Sequence, residues 1–172
     1  LPKDVAVIEV GDPLVALGQL GRAHREAPEI ARALRVIAIT GSSGKTTTKD
    51  LLAAIFEAHV GDAALKTEGN LNNHLGVPLP LLRLSPRHRF AVVEMGMSAL
   101  GELAYLAAIA RPHVACVVSI GPEHLEHLGT VENVARAEGE IFGAGALGPA
   151  GCAVWPDGDE RIRPYAESSR AL

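Results

Sequence analysis

Residues 36–48 read VIAITGSSGKTTT, and this stretch decides the fold. An apolar, β-branched run ends at Thr40, the chain turns through Gly41 and Gly44, and Lys45 follows directly. This order predicts a strand, a glycine-rich loop and the start of a helix. Glycines let backbone N–H groups close on phosphate oxygens, the lysine adds a positive charge, and the hydroxyl after it can hold Mg²⁺. We therefore predict an ATP site formed by Gly41, Ser42, Ser43, Gly44, Lys45, Thr46 and Thr47.

The motif is the short form, GxxGKT, of a phosphate-binding loop. The alternative is an ordinary strand-to-helix turn, which would need neither a lysine nor three consecutive threonines. Lysine is scarce in this chain, with the others at Lys3, Lys49 and Lys66. A lysine at the head of a helix is therefore better explained by a bound phosphate than by chance.

The composition bounds the classes of protein to consider. The 172 residues are 48% hydrophobic and 21% charged, which predicts an α/β protein with one sizeable core. A net charge of −4, without a basic cluster interleaved with aromatic residues, argues against a nucleic-acid partner. No apolar run approaches the roughly 20 residues of a membrane helix, so we expect a cytoplasmic protein with no membrane insertion. Cys116 and Cys152 lie in apolar runs, which predicts buried thiols rather than a disulfide.

The helix after the loop is amphipathic in its sequence. Its spacing predicts that apolar residues face the sheet and that charged residues face solvent. The apolar set is Leu51, Leu52, Ile55 and Phe56, and the charged set is Lys49, Asp50 and Glu57.

A polar loop follows between two apolar segments. It contains Thr67, Asn70, Asn72 and Asn73 within seven positions. Such residues form turns by bonding to nearby backbone, but they also bind polar ligands. Both interpretations stay open at this point.

Two predicted strands end in groups that could bind metal. The apolar run 90–93 stops at Glu94, and ligands of open α/β sheets bind at the carboxyl ends of strands. Glu94 is therefore a candidate for Mg²⁺ or its water shell, and a solvated strand end is the alternative. The run 113–120 leads into a polar patch in which His124 is the better candidate, although one exposed turn would explain most of the patch.

The helix predicted from Val131 to about Phe142 carries an unexpected carboxylate. Glu138 lies four residues after Val134 and three before Ile141, which places it on the apolar stripe. Burying a carboxylate is costly, so a cation or dense hydrogen bonding should lie opposite it. The alternative is a helix rotated enough to expose Glu138.

The two ends of the chain carry weaker patterns. Asp12 and Pro13 predict the start of a helix that lies outside the main core. Residues 151–155 predict a short strand, and residues 157–172 form a polar tail that we expect to be disordered.

Taken together, three blocks resemble the ATP-binding central domain of the Mur ligases, which build the peptide of peptidoglycan. They are AITGSSGKTTTKD, KTEGNLNNHLGVPLPLLRL, and AVVEMGMSALGELAYLAAIARP continuing into GPEHLEHLGTVENVARAEGEIF. The resemblance implies a P-loop NTPase-like three-layer sandwich with a mostly parallel sheet. It divides the chain into an N-terminal remnant and connector (1–30), a partial central domain (31–156) and the tail (157–172).

The resemblance also implies the roles of individual residues. Lys45 would hold the ATP phosphates, Thr46 and Glu94 would serve Mg²⁺, and His124 would serve a second Mg²⁺. The middle block most resembles ligases that join D-alanyl-D-alanine to UDP-MurNAc-tripeptide through an acyl phosphate. The residues implied near that nucleotide-linked peptide are Thr67, Asn70, Asn72 and Asn73.

One position departs from the family. A carbamylated lysine usually stands where this chain has Glu138, and no lysine follows Lys66. Our hypothesis is that Glu138 replaces the carbamate as a metal ligand, which makes Lys45, Glu94, His124 and Glu138 the predicted catalytic set.

Other functions remain open on the sequence. They are a folylpolyglutamate synthase-like ligase, an ordinary P-loop kinase and a nonenzymatic nucleotide-binding module derived from a ligase. Mur ligases also carry an N-terminal domain that binds the uridine nucleotide and a C-terminal domain that closes over ATP. We therefore expect this chain alone not to catalyse ligation.

Overall fold

The computed structural model describes residues 6–143, 146–148 and 150–168. Its centre is a five-stranded parallel sheet with the strand order β2-β3-β1-β4-β5. The strands are β1 (Arg35–Thr40), β2 (Ala64–Lys66), β3 (Phe90–Glu94), β4 (Val114–Val117) and β5 (Cys152–Val154).

Helices connect the strands and cover the sheet. They are α1 (Pro13–Glu26), α2 (Pro28–Ala31), α3 (Lys45–Val60), α4 (Pro78–Leu82), α5 (Glu102–Ala110), α6 (Leu125–Leu128), α7 (Val131–Gly139) and α8 (Arg163–Ser168). Short 3₁₀ turns lie at Gly61–Ala63 and Glu140–Phe142. Within the described ranges, no helix combines the length and apolarity needed to cross a membrane.

The central strand, β1, contributes to the core on both faces of the sheet. Its alternate residues Val36 and Ala38 pack in the larger cluster with α5 and α7, while Ile37 and Ile39 pack on the side of α3. Strand residues alternate between faces, so a strand buried on both sides needs a continuous apolar run. Ile39 lies opposite Glu94 in the neighbouring strand, which brings the end of β3 beside the glycine-rich loop. The predicted three-layer α/β fold is confirmed.

Helix α3 is rotated relative to the sequence prediction. Leu51 and Ile55 are each 63% exposed, so their predicted packing on the sheet is wrong. Ala53 is buried, and Leu52 and Phe56 pack beside it. The side of α3 that faces the sheet is therefore rotated by about one residue from the side that the apolar spacing indicates. Its centre is the small residue Ala53, where the helix packs against the sheet.

The predicted disordered tail is wrong for residues 157–168, which include α8. Ile162 and Ala166 are fully buried, four residues apart on one side of this segment. Tyr165 packs so closely on α7 that a Cβ added to Gly139 would lie 2.5 Å from the ring. Two buried apolar residues in an otherwise polar stretch are too weak a pattern to predict a helix from the sequence. The predicted disorder of residues 169–172 concerns positions outside the described residues.

We expect Ile162→Val to lower the free energy of unfolding by about 1 kcal/mol, because it removes one methyl group from a fully packed site. Ile55→Val is the matched control, since Ile55 is 63% exposed and should change little. Urea unfolding of the three proteins measures the difference. Equal losses at the two positions would mean that α8 is not part of the core.

Helix α1 also packs on the core, contrary to the prediction that it lies outside. Its Gly21 contacts Pro78 of α4, and its Gly18 lies against the hydroxyl end of Tyr105. The Arg25 side chain is buried and donates hydrogen bonds of 2.9 Å to carbonyls at the end of α5. The two glycines allow this close approach.

The cysteine prediction is only half correct. Both thiols are free, and Cys116 is partly buried, but Cys152 is exposed. Cys152 lies on β5, the edge strand, where alternate side chains face outward.

Candidate functional site

The loop between β1 and α3 requires glycine at two positions. Gly41 has φ +132°, and a Cβ there would lie 2.8 Å from the backbone N of Ser119. Gly44 has φ +86° and forms the N-cap of α3. Lys45 Nζ donates a hydrogen bond to the carbonyl of Gly41, so its ammonium lies over the loop. The predicted strand, loop and helix are confirmed.

Serine side chains fix this loop to the segment that follows β4. Ser42 Oγ donates to the carbonyl of Gly121 at 3.2 Å and accepts from its N–H at 2.8 Å. The N–H of Ser43 donates to Ser119 Oγ at 2.9 Å, and that hydroxyl donates back to the carbonyl of Ser43 at 2.9 Å. The loop members left exposed to solvent are Ser43, Gly44, Thr46 and Thr47.

Glu94 is buried, so a solvated strand end is wrong. Only 2% of the residue is exposed, and its backbone N–H donates to Thr67 Oγ1 at 3.0 Å. Asn72 Nδ2 donates to Oε1 at 2.9 Å. The second oxygen, Oε2, is buried without a hydrogen-bond partner in the described part of the chain. Mg²⁺ favours such carboxylate oxygens.

Lys49 lies beside that carboxylate, although the sequence predicted that it faces solvent. Its side chain is 3% exposed, and Nζ lies 3.7 Å from Glu94 Oε2. Nζ also donates to the carbonyl of Gly69 at 3.2 Å. The missed signal is that Lys49 follows Lys45 by four residues, which places both lysines on one side of α3. Lys49 thus connects the phosphate helix to the asparagine loop.

The structure shows turn formation in the asparagine loop and a further role, the support of Glu94, while binding of a polar ligand stays a prediction. Asn73 is a turn former, because its Oδ1 accepts from the N–H groups of Leu75 at 3.2 Å and Gly76 at 2.9 Å. Thr67 and Asn72 instead hold Glu94 in place. Asn70 is exposed.

Glu138 is buried on α7, as its position on the apolar stripe predicts. The residue is 1% exposed, and its Oε2 has no hydrogen-bond partner among the described residues. Burial raises the pKa of this carboxyl to about 8, and the nearby carboxylate of Glu123 adds to the increase, while Thr40 and Lys45 oppose it. A carboxyl in this setting is protonated at neutral pH unless a cation lies beside it.

This carboxyl makes stability depend on pH in the metal-free chain. Its pKa is about 8 when folded against 4.5 ordinarily, so the folded state binds the proton more tightly. We expect the free energy of unfolding in EDTA to fall as the pH rises from about 5 to about 8, relative to Glu138→Gln, which cannot ionise. Urea unfolding across that range measures it. A constant difference between the two proteins would show that Glu138 is not held in its neutral form.

His124 lies where the segment after β4 turns into α6. It has φ +51°, and its side chain is 40% exposed. Its Nδ1 lies 3.9 Å from Glu126 Oε1, a contact that one exposed turn supplies. His124 nevertheless faces the same cavity as Lys45.

Four of the predicted site residues, Lys45, Asn72, Asn73 and His124, line one cavity of about 490 Å³. The predicted residues that do not line it include Thr46, Thr67, Asn70, Glu94 and Glu138. The cavity lies beside the phosphate loop, at the carboxyl end of the sheet, where open α/β sheets bind ligands. Sequence reasoning missed several of its walls, including Ser98 and Glu102 at the start of α5. Among the described residues, the lining comprises Leu14, Lys45, Asn72, Asn73, His74, Leu75, Gly96, Met97, Ser98, Glu102 and His124.

Glu123 is a further residue near Lys45 that the sequence analysis did not single out. Its Oε2 lies 3.9 Å from Lys45 Nζ, and its Oε1 is buried without a hydrogen-bond partner in the ranges described. Its position directly before His124 in the polar patch could have identified it. Across the described residues, no three His, Cys, Asp or Glu side chains form a ready-made metal cluster. A metal here therefore needs oxygens from its ligand or from water as well as from the protein.

Comparison with known proteins places this geometry in a family. The Mur ligase middle domain family matches residues 39–171. The UDP-N-acetylmuramoyl-tripeptide--D-alanyl-D-alanine ligase of Haemophilus influenzae is 43% identical over 140 residues, which cover 80% of this chain and 30% of that protein. The chain thus spans about a third of the length of such relatives.

Solved structures agree. MurF from Acinetobacter baumannii superimposes with a TM-score of 0.86 at 42% identity, over 98% of this chain and 36% of that one. MurF from Thermotoga maritima, in complex with ADP, gives a TM-score of 0.83 at 30% identity, over 98% of this chain and 38% of that one. With a matching sequence model, a matching fold and the glycine-rich loop in place, the chain belongs to the Mur ligase middle domain family.

Proposed function

We propose that this chain is the nucleotide-binding core of a ligase that joins D-alanyl-D-alanine to UDP-MurNAc-tripeptide with ATP and Mg²⁺. The observation that carries the proposal is the position of Lys45 between the glycine-rich loop and the cavity. The name of the Haemophilus influenzae relative states the two substrates, which supports their assignment in this proposal. The ADP in the Thermotoga maritima structure supports the nucleotide.

The phosphate loop would bind the nucleotide through charge and backbone dipoles. Gly44, Thr46 and Thr47 are exposed at the head of α3, where backbone N–H groups bind phosphate oxygens in such loops. Lys45 lies over the same loop and would stabilise negative charge as the γ-phosphoryl group moves. The carbonyl of Gly41 holds the ammonium there before any phosphate arrives.

Mg²⁺ fits the oxygens that this edge of the sheet presents. Glu94 and Glu138 each have a buried Oε2 without a hydrogen-bond partner among the residues described, and a hard cation satisfies such atoms. Thr46 and Glu94 would hold one Mg²⁺, and His124 and Glu138 would hold a second. Both would supply positive charge to the transferring phosphoryl group. Glu138 would take the position of the family's carbamylated lysine.

The cavity would hold the carboxylate that is activated. In the proposed reaction the γ-phosphoryl group of ATP passes to the terminal carboxylate of the tripeptide, which gives an acyl phosphate and ADP. The amine of D-alanyl-D-alanine then attacks the acyl carbon, phosphate leaves, and an amide forms. Asn72 and Asn73 line the cavity beside Lys45, and Thr67 and Asn70 lie in the same loop. Asn70, Asn72 and Asn73 would contact the nucleotide-linked peptide, and Thr67, which is fully buried, would act through Glu94.

A chimera tests the proposal. Residues 39–171 would replace the matching segment of the Haemophilus influenzae ligase, and ADP release would be measured with each substrate omitted in turn. We expect ADP release that requires both UDP-MurNAc-tripeptide and D-alanyl-D-alanine and that disappears in the chimera carrying Lys45→Ala. A folded chimera that binds ATP but releases no ADP would instead favour the nonenzymatic nucleotide-binding module. Release driven by another acceptor would favour a folylpolyglutamate synthase-like ligase.

A further inference from the structure

A second cavity, of about 300 Å³, lies at the amino edge of the sheet. His113, which lines it, directly precedes β4, whereas the glycine-rich loop follows the carboxyl end of β1. Because the strands are parallel, the cavity and the phosphate loop lie at opposite edges. No carboxylate is among the described residues that line the cavity, which are Arg25, Arg111, Pro112, His113, Ala146, Gly148, Ala150 and Gly151.

The charged and polar side chains of this cavity have donors to spare. Arg25 binds two carbonyls at the end of α5 through Nε and Nη2, which leaves its Nη1 without a partner in the described chain. Arg111 contacts Glu26 through Nε at 3.3 Å, and neither of its Nη atoms is hydrogen bonded within the described ranges. The N–H of Val36 donates to His113 Nδ1 at 3.0 Å, so the neutral imidazole carries its proton on Nε2, which is a further donor.

Positive charge exceeds negative charge around the cavity. Glu26 lies 3.4 Å from Arg22 and 3.3 Å from Arg111, and among the described residues it is the one carboxylate that pairs with either. Burial lowers the pKa of Arg25, Glu26 opposes the decrease, and Arg111 adds to it. Burial also lowers the pKa of His113, and nearby arginines lower it further. Three arginines thus share one carboxylate, which leaves two positive charges unbalanced.

We propose that this cavity binds a small phosphate-bearing dianion, held by Arg25, Arg111 and His113. The planar fork of a guanidinium matches the spacing of phosphate oxygens, and Arg25 is already fixed in place by the carbonyls of α5. A phosphate group carries nearly two negative charges at neutral pH, which balances the excess, whereas a carboxylate supplies only one. The site lies apart from the phosphate loop and does not rest on the proposed function.

The test is a titration of this chain with inorganic phosphate, monitored through the backbone amide signals in ¹H–¹⁵N NMR spectra. We expect saturable shifts of the amides of His113, Gly148 and Gly151, which line the cavity. Arg111→Gln should weaken this binding by about tenfold or more, because it removes one charged donor. The Arg111 side chain is 40% exposed, so its replacement leaves the core packed, and the spectrum itself shows whether the variant is folded.

Arg87→Gln is the matched control. Arg87 also pairs with a carboxylate, that of Asp62 at 3.4 Å, but its side chain is 66% exposed and does not line the cavity. The variant changes the net charge by the same amount, so its phosphate affinity should equal that of the wild type. Acetate at the same ionic strength is the matched anion, and it should bind about tenfold or more weakly than phosphate because it carries a single charge.

Three outcomes would overturn the proposal: no saturable shift of these amides in the wild-type chain, an Arg111→Gln chain with wild-type affinity, or acetate bound as tightly as phosphate. The amides of Gly44 and Thr46 report phosphate at the glycine-rich loop in the same spectra. Shifts there without shifts at the cavity refute only the site at the amino edge. Shifts at the cavity without shifts at the loop support that site and count against the proposed function.

Discussion

Lys45→Ala is expected to weaken ATP binding by about 10- to 100-fold, because a charge-assisted hydrogen bond contributes about 1.5–3 kcal/mol. Lys45 is the lysine at the head of α3, and its ammonium lies over the carbonyl of Gly41. The alanine variant keeps the helix, since alanine is the best helix former. Calorimetric titration with ATP in Mg²⁺ measures the loss.

Lys66→Ala is the control for this substitution. Lys66 carries the same charge but lies on β2, where its side chain is 38% exposed and pairs with Asp50 at 3.0 Å. Its removal changes the net charge equally without touching the phosphate loop. If both variants lost affinity to the same extent, the effect would be general electrostatics, and the assigned role of Lys45 would be wrong.

Lys49→Met is expected to lower the free energy of unfolding by about 3–5 kcal/mol, because it leaves the carboxylate of Glu94 buried without its cation. Lys49 is 3% and Glu94 2% exposed at their side chains, so water cannot replace the lost partner. Methionine fills most of the volume of the lysine stem, so the loss reports the charge. Urea unfolding at neutral pH measures it.

The double variant Lys49→Met with Glu94→Gln separates charge from packing. It removes both charges, so it should recover a large part of the stability lost in Lys49→Met. Lys66→Met gives the exposed comparison and should cost about 0–1 kcal/mol, as surface pairs do. The Glu94→Gln variant is measured as well. If the double variant lost as much stability as Lys49→Met and Glu94→Gln added together, the charges of Lys49 and Glu94 would not interact.

The central elements could be predicted because local and global signals agree there. The continuous apolar run of β1 needs two covered faces, and the glycines and Lys45 that follow it have one common structural explanation. Glu94 could be placed because the apolar run before it ends abruptly. Glu138 could be placed because Val134 before it and Ile141 after it define the buried side of this segment.

Other features depended on tertiary packing that the sequence does not display. Lys49 follows a charged pattern typical of a solvent face, yet Glu94 comes from a strand more than forty residues later and pairs with it. Ile162 and Ala166 are buried in a segment whose Tyr165 packs against Gly139 of α7, a contact between residues far apart in the sequence. Glu123 resembles any turn glutamate until Glu138 and Thr40 are brought beside it by the fold.

The most direct test of the central claim is calorimetric titration of this chain with ATP, in Mg²⁺ and again in EDTA. The site joins a phosphate loop to buried carboxylate oxygens that lack partners in the described chain. We therefore predict one ATP per chain, bound about tenfold or more tightly with Mg²⁺ than without it. No binding at millimolar ATP, or equal affinity in Mg²⁺ and EDTA, would contradict a metal-assisted nucleotide site at this edge of the sheet.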